Sequence, residues 1–266
     1  MSEIDISFLR NNLKTKLIGK EIIFFEKIDS TNRKAWEMAE KGAPEGTVII
    51  AEQQERGVGR MGKRWFSPRG GLWFSVILRP PLGVNECQKI TLMAGVAVAD
   101  FLKELYGLKA KLKWVNDVRV KGKKISGILT EMSTIGEKLD FVILGIGVNI
   151  NISRFPRELA DIATSVEMEL KKKVSINEAI IALVENLEEE YRLLVKGFSS
   201  NLIEKWRRLS DTLGRFVEIR YDKKTFKGIA VDVDENGFLI LKVKSNRIIK
   251  ITTGTCRYLD ETTGRS

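Results

Sequence analysis

Short apolar runs alternate with longer amphipathic segments through the first 200 positions of the chain. Uninterrupted β-branched and aromatic runs predict strands, and apolar positions three and four apart predict helices. The predicted strands are 21–28, 47–54, 70–80, 110–117 and 139–151, with a hairpin over 118–132 that turns near Gly122. The predicted helices span about 31–41, 85–107, 175–197 and 199–209. Strands and helices therefore alternate in this part of the chain.

Two of the predicted helices carry sequence signals for their first turn. Ser30 or Thr31 can cap the helix that stops at Gly42, because a hydroxyl can accept from the free N–H groups of a first turn. Ser175 and Glu178 have the spacing of a capping box.

The pattern changes after Ser210, where short, evenly spaced β runs follow one another. They are 215–221, 226–234, 238–243, 247–253 and 256–259, and the turn Asp234–Gly237 separates two of them. Many short strands at such spacing predict a small β-barrel or barrel-like sandwich. The sequence thus predicts two domains, 1–209 and 210–266.

Composition then narrows the chemistry. The 266 residues include no histidine, which excludes Ser-His-Asp and Cys-His nucleophile systems and HExxH zinc sites. The two cysteines, Cys87 and Cys256, lie far apart, which favours a reducing cytoplasm over a disulfide framework. No apolar run reaches the roughly 18 residues of a membrane span, so no membrane association is expected. The net charge of +10 suits nucleic acid, a phosphate ligand or an acidic partner, but a solvated lysine-rich surface has the same charge.

One glycine-rich stretch, "ERGVGRMGKRWFSP" at 55–68, raises the question of phosphate binding. Gly57 to Lys63 has the G-x-x-x-x-G-K spacing of a phosphate loop, but Arg64 replaces the required Ser or Thr. Another β run follows where such a loop needs a helix. Four cations crowd among three glycines, and a bound anion would offset their repulsion. The stretch therefore predicts an anion-binding loop of a different kind, beside which Trp65 offers a flat face to a purine.

Further motifs converge on the same ligand without identifying it alone. The stretch "KWVND" places Lys113, Asn116 and Asp117 at a strand end, and Lys124 follows in the hairpin. Taken alone, Lys124 is a lysine on a wet turn. The stretch "GIGVNIN" at 145–151 lacks the third glycine of a dinucleotide fingerprint, and its alternative is a strand whose glycines allow close packing.

Taken in order, these motifs resemble the biotin–protein ligase family. The resemblance rests on "DSTN", "AEQQERGVGRMGKRWFSPRGGLWFS", "KWVND", "KKISGILTE", "GIGVNIN" and "ATSV", and it runs from about residue 20 to the C-terminus. It implies an α+β fold, a mixed-sheet catalytic domain like that of class II synthetases, followed by a small SH3-like barrel. It also implies a ligase that makes biotinyl-5′-AMP from biotin and ATP with Mg²⁺, then transfers biotin to one lysine of a biotin carboxyl carrier protein.

The resemblance assigns roles residue by residue, and the metal ligands stay undefined. Catalysis would rest on Arg60, Lys124 and Asp117. Biotin would be bound by Ser30, Thr31, Asn32, Gln54, Gly57, Gly59, Arg60, Lys124 and Gly127. ATP would be bound by Arg60, Lys63, Trp65, Lys113, Asn116 and Asn149.

Two departures from the family pattern and several alternatives accompany this assignment. Val58 stands between the loop glycines where many members have a cation, and Val115 replaces the proline of "KWPND". Only about 20 residues precede the first strand, so we expect no DNA-binding domain; a homodimer stays open. Lipoate–protein ligases share the adenylate chemistry, but their "SGGGAVxHD"-type stretch is missing. A non-enzymatic nucleic-acid-binding protein is the alternative of a different class.

Overall fold

The computed structural model describes residues 3–259. The first of its two sheets contains seven strands. Its order is β1-β2-β3-β7-β6-β5-β4; β1 and β2 are parallel, and the other neighbours are antiparallel. The strands are β1 (Ile22–Ile28), β2 (Val48–Gln54), β3 (Leu72–Leu78), β4 (Ala110–Lys113), β5 (Asp117–Val120), β6 (Lys123–Ile135) and β7 (Lys138–Val148). The sheet is therefore mixed, as the resemblance implies.

Helices cover both faces of this sheet. They are α1 (Ile6–Asn12), α2 (Thr31–Glu40), α3 (Gln88–Tyr106), α4 (Val166–Leu170), α5 (Ile176–Val195) and α6 (Ser199–Leu209). Helix α3 is apolar over most of its length and packs between the sheet and α5. Helix α2 packs through Ala35 and Ala39 against Ile49, Ile77 and Phe141 on the other face. The sheet is thus buried on both sides, which explains the uninterrupted apolar runs of its central strands.

A second, antiparallel sheet follows α6. Its strands are β8 (Phe216–Tyr221), β9 (Lys224–Val233), β10 (Leu239–Val243), β11 (Ile248–Ile251) and β12 (Thr255–Tyr258), in the order β11-β10-β9-β8-β12. The predicted turn before β10 is confirmed, because Asp234 Oδ1 accepts from the backbone of Asn236 and Phe238 and Gly237 has a φ of 83°. The α+β class is confirmed. The domain boundary at 210 and the closure of this sheet into an SH3-like barrel stay predictions.

The predicted strand over 110–117 is wrong in its second half. Strand β4 ends at Lys113, a turn follows, and β5 begins at Asp117. Trp114 does not continue the strand, because its backbone N–H and its indole N–H are both hydrogen-bonded to residues that follow α6. Its backbone N–H donates to Thr212 Oγ1 (2.9 Å) and its Nε1 to Gly237 O (3.2 Å), and the side chain is buried. A polar anchor at each end of this residue therefore overrides the local β pattern.

The hairpin that follows turns where the sequence predicts. Lys121 and Gly122 both have positive φ, 47° and 81°, which is the conformation of a tight two-residue hairpin turn. Strand β6 continues to Ile135, past the predicted end of the hairpin at residue 132. A second turn at Gly136 then leads into β7.

The N-terminal segment holds a helix, α1, that the sequence pattern did not predict. Seven residues give too few turns for a clear apolar period. The segment is fixed to α5 by Glu188, whose carboxylate accepts from the backbone N–H groups of Lys16, Leu17 and Ile18. Helix α5 begins as predicted, since Ser175 Oγ accepts from the N–H of Glu178 at 3.2 Å.

Candidate active site

A cavity of about 410 Å³ lies between the central strands, the glycine-rich loop and the second sheet. Fourteen of the fifteen residues that the sequence assigns to substrates or catalysis line it. They are Ser30, Thr31, Asn32, Gln54, Gly59, Arg60, Lys63, Trp65, Lys113, Asn116, Asp117, Lys124, Gly127 and Asn149. Segments up to 119 residues apart in sequence thus meet at one site.

Gly57 is the assigned residue that does not line this cavity. It lies behind Gln54 and Trp65, where its carbonyl accepts from Trp65 N at 2.8 Å. A Cβ at this position would come within 2.6 Å of both Trp65 O and Ser67 Oγ. Gly57 therefore allows the loop to fold back closely on itself.

The first turn of α2 forms a polar end of the cavity. Ser30 occupies the N-cap position, as predicted, but its hydroxyl makes no capping hydrogen bond. Thr31 donates instead to Gln54 Oε1, from its N–H at 2.8 Å and from its hydroxyl at 3.1 Å. Asn32 donates from Nδ2 to Glu131 Oε2 at 2.8 Å. The turn is thus fixed by side chains of the sheet.

Ser75, which the sequence did not predict as a site residue, contacts Thr31 and Asn32 from strand β3. Its Oγ lies 2.8 Å from Thr31 Oγ1 and 2.6 Å from Asn32 Oδ1, and the residue is fully buried in β3. The signal for it was a single hydroxyl within an otherwise apolar strand, where a buried polar group needs partners.

The floor of the cavity is made of two glycines that pair across neighbouring strands, Gly127 of β6 and Gly147 of β7. The indole of Trp65 lies on them. A Cβ at Gly147 would come within 2.4 Å of Trp65 Nε1, and one at Gly127 within 3.1 Å of the ring. Gly147 of "GIGVN" therefore serves close packing, as the structural alternative for that motif predicts.

The glycine-rich loop has no phosphate-loop geometry. Between β2 and β3, a stretch that the structure describes throughout, it forms an isolated bridge between Val58 and Arg64 and a single short 3₁₀ turn at Arg60–Gly62. Met61 at the centre of that turn has a φ of 56°. Since β3 rather than a helix follows, no helix N-terminus faces a phosphate here, and the loop's side chains carry the charge.

Arg60 bridges this loop to both sheets. Its guanidinium donates to Asn116 Oδ1 (3.3 Å), Thr253 Oγ1 (2.7 Å) and Gly254 O (3.2 Å). Burial lowers the pKa of Arg60, and the nearby Asp117 carboxylate partly opposes that shift. A desolvated cation held by neutral acceptors is well suited to bind an anion.

Lys124 and Asp117, which also line the cavity, form an ion pair with 2.5 Å between Nζ and Oδ1. Lys124 Nζ also lies 4.9 Å from the centre of the Trp65 ring. Nearby, Lys113 Nζ lies 4.7 Å from the centre of the Tyr258 ring, and burial lowers the pKa of Lys113. The cavity thus places three cations, Arg60, Lys113 and Lys124, around one carboxylate.

The two asparagines assigned to ATP already make structural hydrogen bonds. Asn116 Nδ2 donates to Ile128 O at 2.8 Å, and Asn149 Nδ2 donates to Thr164 O at 2.9 Å. Each therefore fixes a neighbouring segment of the cavity wall.

An apolar wall, which the sequence analysis also missed, closes another side. It consists of Phe66, Phe155, Leu159, Ile162 and Ala163. The rings of Phe66 and Phe155 are 6.3 Å apart between centroids. Most of this wall comes from an irregular segment after β7, where neither a helical nor a strand period marks the apolar positions.

The second sheet supplies Gly254, Thr255 and Cys256 to the cavity, and the sequence analysis assigned none of them. Burial raises the pKa of the Cys256 thiol to about 11, so it is neutral near pH 7. Strand β12 was predicted as structure only, because nothing in "GTCRYL" marks a contact with a loop almost 200 positions earlier.

The described residues do not form a metal cage of their own. Within 3–259, no group of three His, Cys, Asp or Glu side chains is placed to hold a metal ion, and Asp117 is the carboxylate that reaches the cavity. Across the same residues, none of the helices is both long enough and apolar enough to cross a membrane.

Two family models match the chain. The biotin/lipoate A/B protein ligase family matches residues 24–149, and the biotin protein ligase C-terminal domain matches residues 212–257. Both matched ranges contribute to the cavity described above.

The chain is also similar to curated proteins and to solved structures. The bifunctional ligase/repressor BirA of Bacillus subtilis is 37% identical over 91% of this chain and 74% of its own length. The biotin–[acetyl-CoA-carboxylase] ligase of Mycobacterium tuberculosis is 30% identical over 93% of this chain and 94% of its own. A biotin protein ligase from Aquifex aeolicus, solved in complex with biotin and ATP, superimposes with a TM-score of 0.78 at 28% identity, covering 90% of this chain and all of that one.

Proposed function

The chain belongs to the biotin protein ligase family, and on that premise we propose that its cavity joins biotin to ATP and passes the biotinyl group to a lysine of a biotin carboxyl carrier domain. One observation carries the assignment of this chemistry to particular residues. Fourteen residues, chosen from sequence motifs alone, line a single cavity. The relatives are ligases named for biotin, which sets aside both the lipoate ligase and the non-enzymatic alternative.

The polar end of the cavity fits the ureido ring of biotin. Thr31, Asn32 and Gln54 present hydroxyl and amide groups that are already oriented by one another and by Ser75. Burying a ureido group without partners would cost about 1–3 kcal/mol for each unpaired atom. A preformed polar end therefore selects biotin over an apolar acid of the same length.

The first step needs charge rather than a base. A biotin carboxylate oxygen attacks the α-phosphorus of ATP, the bond to the pyrophosphate oxygen breaks, and the mixed anhydride biotinyl-5′-AMP forms. Both reactants are anions, so the site must neutralise their approach. Arg60, Lys124, Lys113 and Lys63 line the cavity and would supply this positive charge. The absence of histidine is therefore no obstacle.

Mg²⁺ fits this site together with ATP but not by itself. It usually binds one or two carboxylates plus substrate phosphates and keeps several waters. Asp117 is the carboxylate available for that purpose. When bound, the ion would neutralise charge on the phosphates.

The second step transfers the acyl group. The carrier lysine's amine nitrogen attacks the carbonyl carbon of the anhydride, the carbon–oxygen bond to phosphate breaks, and AMP leaves while the amine loses a proton. Asp117 is the group in the cavity that can accept this proton or orient the amine. The ion pair with Lys124 holds the Asp117 carboxylate in the cavity until the carrier arrives.

The apolar wall suits the adenine, since Phe66 and Phe155 expose ring surface to the cavity. Trp65 lies between the polar end and this wall, over the glycine floor, so it can cover either substrate.

Cys87 and Cys256 are free and buried, which fits a reducing compartment, the cytoplasm.

The assay that tests this function uses the full chain with biotin, ATP, Mg²⁺ and a biotin carboxyl carrier domain, measured by intact mass. We expect one biotinyl group on the carrier, and none when ATP is omitted or the target lysine is changed to arginine. Replacing biotin by lipoate should give no product. An unmodified carrier, together with no pyrophosphate release, would refute the proposal.

A further inference from the structure

The turn between β11 and β12, residues 252–254, reaches from the second sheet into the cavity. Thr253 Oγ1 accepts from Arg60 Nη2 at 2.7 Å, and Gly254 O accepts from Nη1 at 3.2 Å. Beside them, Thr255 Oγ1 donates to Met61 Sδ at 3.3 Å. Two consecutive residues of the glycine-rich loop are therefore held by this turn and by the first residue of β12, 193 and 194 positions away in sequence.

We propose that Thr253 is a positioning residue that holds the Arg60 guanidinium over the cavity and so retains the biotinyl-adenylate until the carrier arrives. This inference rests on the role of Arg60 under the proposed function. The further point is that the glycine-rich loop does not retain the adenylate alone, because the second sheet supplies the acceptors that hold Arg60. The contact of Arg60 with Thr253 and Gly254 is called here the Arg60 latch.

The geometry favours a positioning role for several reasons. A guanidinium has five N–H donors in a rigid plane, so hydrogen bonds to three acceptors fix it and still leave donors for an anion. Asn116 Oδ1 accepts from the same Nη1 at 3.3 Å, which places the plane between the two sheets. The three acceptors are neutral, so the latch orients Arg60 without cancelling its charge.

The glycine-rich loop itself provides little to hold Arg60. Met61 adopts a left-handed conformation and is largely exposed, and Gly59 and Gly62 flank the pair. Glycines allow many backbone states, so fixing this segment needs contacts from elsewhere. The latch provides these contacts at the residue whose charge faces the substrates.

The test compares Thr253→Val with two matched variants. Valine keeps the shape of threonine and removes the hydroxyl acceptor. Thr253→Ser restores the hydroxyl, and Thr252→Val makes the same change one position earlier, at an exposed residue of the same turn. Loss of a hydrogen bond to a charged group should release purified, pre-bound biotinyl-AMP about tenfold faster, while the serine and Thr252 variants keep the wild-type rate.

A second measurement reports on the latch without turnover. In the ligand-free enzyme, trypsin should cut after Arg60 faster in Thr253→Val than in the wild type, because the guanidinium is no longer held. Thermal unfolding midpoints within about 2 °C of the wild type would show that the fold is intact. Should the valine variant fold poorly, Thr253→Ala takes its place.

A double-mutant cycle with Arg60→Gly decides between positioning and a general structural effect. In the Arg60→Gly background, Thr253→Val should speed release no further; an additive effect would overturn the latch. Fast release by Arg60→Gly with normal retention by Thr253→Val would overturn the latch alone and leave the proposed function in place. Normal retention by Arg60→Gly would remove both the latch and the proposed role of Arg60.

Discussion

Lys124 Nζ lies 2.5 Å from Asp117 Oδ1, so two residues with separate proposed roles form one ion pair across β5 and β6. Each side chain is about a quarter exposed within the cavity, so solvent screens the pair only in part. A change at either residue therefore also changes the other, and the two half-reactions must be measured separately to assign their roles.

The Lys124→Ala variant should lose adenylate formation. Removing one preorganised cation from the meeting point of two anions should raise the barrier by about 2–4 kcal/mol, or about 30- to 900-fold in rate. Pyrophosphate release in a single turnover measures this step. Lys123→Ala is the matched control, since Lys123 Nζ donates to Ala160 O outside the cavity lining. Equal losses in both variants, or normal adenylation by Lys124→Ala, would refute the assignment.

The Asp117→Asn variant separates metal binding from amine handling. If Asp117 handles the amine, transfer from purified biotinyl-AMP should be slow and should recover partly at higher pH, as more lysine amine loses its proton. If it serves Mg²⁺ only, adenylate formation should fail while transfer stays normal. We expect the transfer defect, and single-turnover transfer measured across pH decides the question. Wild-type transfer rates in this variant would end the amine-handling role.

The Ser75→Ala variant should lose both stability and biotin affinity. The change leaves buried hydrogen-bonding groups of Thr31 and Asn32 with one partner fewer, which costs about 1–3 kcal/mol in the free energy of unfolding. The biotin Kd should rise because the polar end loses its orientation. Denaturant unfolding and calorimetric titration measure the two effects. Ser133→Ala, a partly exposed change in β6, should stay within about 0.5 kcal/mol of the wild type; a similar result for Ser75→Ala would contradict the support role.

The Cys256 thiol should be almost inert to alkylation near pH 8. Its pKa is raised from 9.0 to about 11 by burial, so the folded protein holds about a hundredfold less thiolate than the unfolded chain. In a Cys87→Ala background, iodoacetamide labelling should rise with pH until about 11. Between pH 9 and 11 the unfolded thiol loses its proton first, so this group's contribution to stability falls as pH rises. Labelling at pH 8 as fast as in guanidinium chloride would contradict the expectation.

The sequence predicted most of the large elements but not the points where distant parts of the chain meet. Strong periods located α3, α5 and the central strands. Helices α1 and α4 have seven and five residues, too few for a period to be distinguished from chance. The strand over 110–117 failed at Trp114, whose hydrogen bonds to Thr212 and Gly237 lie about 100 positions away.

The residues of the cavity divide in the same way, into those that local motifs predict and those that only tertiary packing brings together. Its motif residues could be found because glycines and cations cluster locally, as at 57–64. Ser75 was hidden in an apolar strand, and its role depends on two residues of α2. Thr253 carries no local signal, because its partner Arg60 becomes a neighbour only after both sheets have formed. Contacts of this kind depend on tertiary packing, which periodicity and composition do not encode.

The position of Trp114 makes the two sheets thermodynamically dependent on each other. Its buried indole belongs to one continuous apolar core that also contains Val217, Ala230 and Leu239 of the second sheet. Separating the sheets would expose this ring and leave its N–H donors without their acceptors, so we expect that neither sheet unfolds as an independent cooperative unit. Heat or denaturant should melt the pair in a single transition.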